Sequence, residues 1–154
     1  MASSYPQPMS PGLRSTVMVT FGLLWLSGCL WLALHLFFSQ SGEWGPVQHP
    51  WAPSVLKIHG WIAVASVFLL GWVTARHVSD RWPQPNKRVS GLGIASLAVI
   101  LAVTGYALYY TTDRLHDTAA LAHETLGGAA ILLALVHWKR RRPALKAFMP
   151  GSPP

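Results

Sequence analysis

Four apolar stretches, Val17 to Phe38, Ser54 to Ala75, Gly91 to Tyr110 and Thr118 to Trp138, decide what this chain can become. At ~1.5 Å of rise per residue, each is long enough as a helix to cross a hydrocarbon core of ~30 Å. Together they take up most of the 154 residues, which leaves room for one domain and none for a soluble catalytic module. Composition agrees. With 51% hydrophobic and only 11% charged residues, the chain has too little polar material to cover a soluble globule. The expected fold is all-α, an integral membrane four-helix bundle running up-down-up-down.

The first stretch exceeds the ~7–15 apolar residues of a secretory signal core and has only Arg14 on its flank, so it reads as a retained helix. Residues 1–13 and 143–154 form tails around a transmembrane domain over 14–142. The Ser, Pro and Gly of the first tail and of Pro150 to Pro154 cannot bury enough apolar surface to order themselves. The single cysteine, Cys29, excludes an internal disulfide, a Cys-x-x-Cys-His attachment site and iron–sulfur ligation by this chain alone.

A net charge of +7 would suggest nucleic acid in a soluble protein, but its placement follows a membrane rule. If four helices alternate, Arg14, Arg76, Arg81, Lys87, Arg88, Lys139, Arg140, Arg141, Arg142 and Lys146 all fall on one side. Lys57 and Arg114 fall on the other, with Glu43, Asp113, Asp117 and Glu124. Both termini and the second connection are therefore expected in the cytoplasm. The first connection, Ser39 to Pro53, carries five Gly and Pro breakers together with Trp44 and Trp51, and is expected to cap the outer end. The third, Thr111 to Asp117, is short enough to make helices three and four antiparallel neighbours.

Histidines mark the second and fourth stretches at both ends: His59 and His77 on one, His123 and His137 on the other. At ~100° per residue, the eighteen-residue interval returns to the same face over ~27 Å, and the fourteen-residue interval differs by ~40° over ~21 Å. Alternating directions then place His59 with His123 near the outer surface and His77 with His137 near the cytoplasmic one. Haem iron takes an axial imidazole from each side, so two layers of paired histidines suit two b-type haems. A flat macrocycle needs shallow walls. The fourth helix offers Gly127, Ala130 and Ala134 between its histidines, and the second offers Ala63 and Ser66. Arg76, Arg81 and Arg140 are the candidate partners of the propionates in the cytoplasmic layer, beside Lys139, whereas the outer layer has only Lys57 and Arg114. The unequal intervals differ by ~6 Å of rise, which a greater tilt of the second helix absorbs.

At His123-Glu124-Thr125-Leu126-Gly127 through His137-Trp138, and at His59-Gly60 through His77, the chain resembles the four-helix membrane cytochromes b, electron-carrying subunits of bacterial oxidoreductases. The fourteen-residue interval is also similar to that of the respiratory cytochrome b, in which two helices hold two haems. The resemblance implies transmembrane electron transfer in a bacterial inner membrane, often with quinone at one end, and a subunit of a larger complex instead of a self-contained enzyme.

Other readings stand beside it. Histidines at helix ends can anchor at the interface, which describes a haem-free assembly or anchor subunit. The outer histidines His35, His49 and His116 with Glu124 would suit a metal or proton pathway, or a solvated surface. Tyr106, Tyr109 and Tyr110 read as an interfacial aromatic belt, Cys29 as packing, and Gly91, Gly93 and Gly105 as close helix contacts.

Overall fold

A computed structural model of the chain describes residues 10–43, 45–75 and 88–139. Four helices carry it: α1 (Pro11–Phe37), α2 (Ala52–Val73), α3 (Arg88–Tyr110) and α4 (Asp113–Lys139). All four contain spans long and apolar enough to cross a membrane, with mean hydropathy from 1.6 to 2.0. The fold is the expected all-α bundle of a multi-pass membrane protein.

All four helices start earlier than their apolar runs, the first and last by the most. Ser10 caps α1 by accepting from the Leu13 N–H at 3.3 Å, and Pro11 occupies the first helical position, where no N–H is needed. α4 begins at Asp113, so its connection to α3 shrinks to Thr111 and Thr112. Asp113 pivots this turn at φ 54°, a left-handed conformation that Asp tolerates better than most residues. Its carboxylate accepts from the Thr112 hydroxyl at 2.9 Å. Asp113→Val should therefore lower stability by about 1–2 kcal/mol, while Asp113→Gly stays near the parent, as denaturant unfolding in detergent micelles would measure.

The first connection adds something the apolar pattern does not carry, a two-stranded antiparallel ribbon of β1 (Gln40–Gly42) and β2 (Gly45–Val47). Gln40 faces Val47 and Gly42 faces Gly45. Gly45 holds φ 114°, and a Cβ on Gly42 would collide with Val47, so both glycines are required for the strands to close.

Each helix packs mainly on its hairpin partner, α1 with α2 and α3 with α4. Lighter contacts join α1 to α4 and α2 to α3. That ring sets α2 and α4 opposite each other across the bundle. Few side chains are fully enclosed. Among the described residues they are Ala52, Val55, Ser66 and Ala119, three of them towards the ribbon end. Large apolar side chains point outward instead, Trp61 and Phe68 at 77% and 78% exposure, which suits a surface bathed in lipid.

Candidate functional site

Within the first hairpin, α1 grips the histidine of α2. Ser27 donates its hydroxyl proton back to the Leu24 carbonyl at 2.9 Å, a habit of hydroxyls inside helices. With that proton committed, Ser27 Oγ meets His59 Nδ1 at 3.0 Å as an acceptor. The Leu24 carbonyl, which can only accept, lies 3.1 Å from the same nitrogen. Both partners therefore require the hydrogen on Nδ1, and Nε2 keeps its lone pair. Gly28 completes the grip, because a Cβ there would stand 3.0 Å from His59 Cε1.

The second hairpin repeats the device. Thr104 donates to the Ile100 carbonyl at 2.8 Å and accepts from His123 Nδ1 at 3.0 Å. The Leu101 backbone is a further partner of the ring. A Cβ on Gly105 would stand 3.1 Å from His123 Cε1. Leu24-x-x-Ser27-Gly28 on α1 and Leu101-x-x-Thr104-Gly105 on α3 are thus two copies of one clamp, each holding an imidazole of the neighbouring helix by Nδ1, with no partner on Nε2 among the described residues.

Across the bundle diagonal the two clamped rings meet. Their centroids are 6.3 Å apart and their planes cross at 87°. A metal sits about 2.0–2.1 Å from an imidazole nitrogen and ring atoms lie about 1.1–1.2 Å from the centroid, so two imidazoles on opposite sides of one metal would have centroids about 6.4 Å apart. His59 and His123 have that spacing. Two nitrogens alone do not complete a zinc site, and no group of three His, Cys, Asp or Glu side chains converges among the described residues. Two imidazoles with no third ligand would suit a metal whose remaining positions a macrocycle fills.

The other expected residues are placed less centrally. Gly127 packs against Leu101 of α3, Ala130 is half-buried, and Ala134 is exposed. The small-residue stripe thus serves the α3–α4 contact at Gly127 and turns outward by Ala134. On α2, Ser66 is buried seven residues from His59 on the same face, with its hydroxyl returned to the Ile62 carbonyl at 2.8 Å, and Ala63 is half-buried. His77, Arg76, Arg81 and Arg140 lie outside the described residues, as does the His137 side chain, although its backbone continues α4. A shallow apolar groove of about 410 Å³ between α2 and α3, at Leu70, Thr74, Leu92 and Val99, lies towards that same end.

The remaining histidines have local partners. His35 stacks on Trp31 at 5.1 Å, one helical turn away. His49 lies edge-on to Phe38 and Trp51 and accepts the Trp51 N–H at 3.3 Å. His116 sits 3.8 Å from the Asp117 carboxylate at the surface. None of these contacts reaches the paired rings. Glu124 is half-buried beside His123. Tyr106 and Tyr110 stack at 4.4 Å in the expected belt, while the Tyr109 hydroxyl approaches Gly60, next to His59.

Sequence reasoning gives Ser27, Gly28 and Thr104 no role and assigns Gly105 to helix packing. The available signal is the five-residue pattern itself, which occurs once on each of the two helices that do not carry the paired histidines. Compared with known proteins, the chain matches no family model, no curated protein and no solved structure.

Proposed function

We propose that this chain is a membrane b-type cytochrome in which His59 and His123 hold haem b between the two hairpins. The reading extends to a second haem b between His77 and His137, with Arg76, Arg81 and Arg140 near its propionates. It makes the chain the electron-carrying membrane subunit of a larger oxidoreductase in a bacterial inner membrane, both termini cytoplasmic, exchanging electrons with quinone.

The observation that carries the proposal is the spacing of the two imidazoles, both clamped in the tautomer that leaves Nε2 for iron. The glycines support it too, since Gly28 and Gly105 keep the space beside each ring free of side chain. Three residues from Gly28 on α1, the Trp25 Nε1–H is buried without a partner among the described residues. Leaving such a donor unmet costs about 1–3 kcal/mol, and a bound group would change its surroundings. Haem, when bound, supplies one-electron redox chemistry. The chain itself ligates, fixes each ring's orientation through Nδ1, and keeps water away with apolar helices. If His59 and His123 both held the group, the site would leave no open position and would favour electron transfer over oxygen chemistry.

Purified in detergent, the chain should show the alpha band of bis-imidazole haem in a reduced-minus-oxidised spectrum. Haem quantified per polypeptide should come to about two on the two-layer reading. A value of one removes the His77–His137 layer. A chain without haem after expression with ample haem supply sinks the proposal and leaves the anchor subunit.

A further inference from the structure

Resting on the haem reading, we infer that Ser27 and Thr104 are positioning residues that set the reduction potential of the iron between His59 and His123. Neither would touch iron; each acts through the far nitrogen of an axial imidazole. In the first clamp that nitrogen also has a backbone partner, the carbonyl of Leu24 at 3.1 Å, and in the second the Leu101 backbone lies beside the ring. The hydroxyl is a second acceptor, at 3.0 Å in each case. Holding the ring in place needs one acceptor, so a hydroxyl added twice, in symmetry-related places, has a further consequence.

That consequence is electronic. An acceptor on Nδ1–H draws the proton outward and makes Nε2 a more basic ligand. A more basic ligand favours ferric over ferrous iron, which lowers the potential. The effect grows in a low-dielectric interior, where hydrogen bonds polarise one another. Here the chain is continuous: His N–H to hydroxyl oxygen, and hydroxyl hydrogen to a carbonyl of the same helix, Leu24 at 2.9 Å or Ile100 at 2.8 Å. Since both rings would serve one iron, the two hydroxyls act on the same couple from opposite faces, and their effects should add.

Redox titration of the intact chain in detergent tests this, using Thr104→Val, which keeps shape and removes the hydroxyl, and Thr104→Ser, which keeps the hydroxyl and removes the methyl. Ser27→Ala and the double variant Ser27→Ala/Thr104→Val complete the set. Loss of an outer hydrogen-bond partner of a metal ligand typically costs about 10–100-fold in metal affinity or activity, and the lower figure sets the scale expected if that loss falls on one oxidation state. Each hydroxyl deletion should thus shift the reduction equilibrium roughly tenfold towards the reduced form, about 59 mV for a one-electron couple, and the double variant roughly twice that. Thr104→Ser should titrate like the parent. Haem loss in Thr104→Val but not in Thr104→Ser also supports the assignment, because Ser keeps the hydroxyl that Val lacks although it is the poorer match in shape. The inference is overturned if haem stays bound and no potential moves, or if the Val and Ser variants change alike, which would mean packing. A parent chain that carries no haem fails earlier, on the haem reading itself.

Discussion

Replacing His123 with alanine should abolish the haem held by the paired imidazoles, and His59→Ala should do the same. Each substitution removes one of the two proposed ligands, and among the described residues no substitute lies nearby: His35, His49 and His116 are each engaged with neighbours on their own segments. On the two-haem reading, bound haem falls from two per chain to about one in either variant, and His137→Ala removes the other spectral component. His35→Ala and His49→Ala should leave the spectrum unchanged. Membrane insertion should survive in all of them, since it depends on the apolar spans and not on single polar residues. The decisive comparison pairs His59→Gly with added imidazole. A free imidazole has room to replace the side chain, so the alpha band should return in His59→Gly and in His123→Gly on titration with the free base. Undiminished haem in His59→Ala and His123→Ala would remove these rings from the site and with them the central claim.

Much of the fold is legible because a membrane simplifies the problem: an apolar run of sufficient length has few alternatives to a helix. The ends are less legible. Asp113, Arg114 and Asp117 break the apolar pattern of the fourth stretch, yet they form the first turns of α4, because a helix continues past the apolar layer wherever a turn and local hydrogen bonds sustain it. The ribbon at Gln40–Val47 escapes notice for a similar reason, being made by two glycines and backbone pairing with no alternation of its own. At the site, the histidines are conspicuous because an imidazole in an apolar run is expensive. Their clamps are not, since Ser27 and Thr104 satisfy their hydroxyls within their own helices and disturb the hydropathy very little. Gly28 and Gly105 resemble ordinary helix-packing glycines until the ring edge is placed against them. The sequence reading thus singles out the two paired rings and omits the residues that clamp them, which lie on the other two helices and connect to the histidines only through the fold.

Those glycines give the second large effect. In a helix interior Gly→Ala gains up to about 1 kcal/mol from propensity, so Gly128→Ala, with nothing within 4 Å of the added methyl, should stabilise the chain slightly. At Gly105 the same methyl would stand 3.1 Å from His123 Cε1, and at Gly28 3.0 Å from His59 Cε1. Ordinary contact would need the ring to retreat by several tenths of an ångström, but Nδ1 is tied to the hydroxyl one residue away on the same helix, so the ring cannot yield without losing that bond. Overpacking of this kind costs about 1–3 kcal/mol, enough to cancel the propensity gain. Global stability of Gly28→Ala and Gly105→Ala should therefore end within about 2 kcal/mol of the parent, on the unfavourable side. Haem retention should suffer far more, because the displacement falls on the ligand ring itself and a metal–nitrogen bond tolerates only about 0.2 Å of error. The larger Gly105→Leu should bind no haem in the affected layer while still inserting. Haem content and unfolding midpoints measured side by side on Gly28→Ala, Gly105→Ala and Gly128→Ala separate the two effects. Equal behaviour of all three would mean that these glycines do no more than let helices approach, and that the clamp geometry places no demand on the rings.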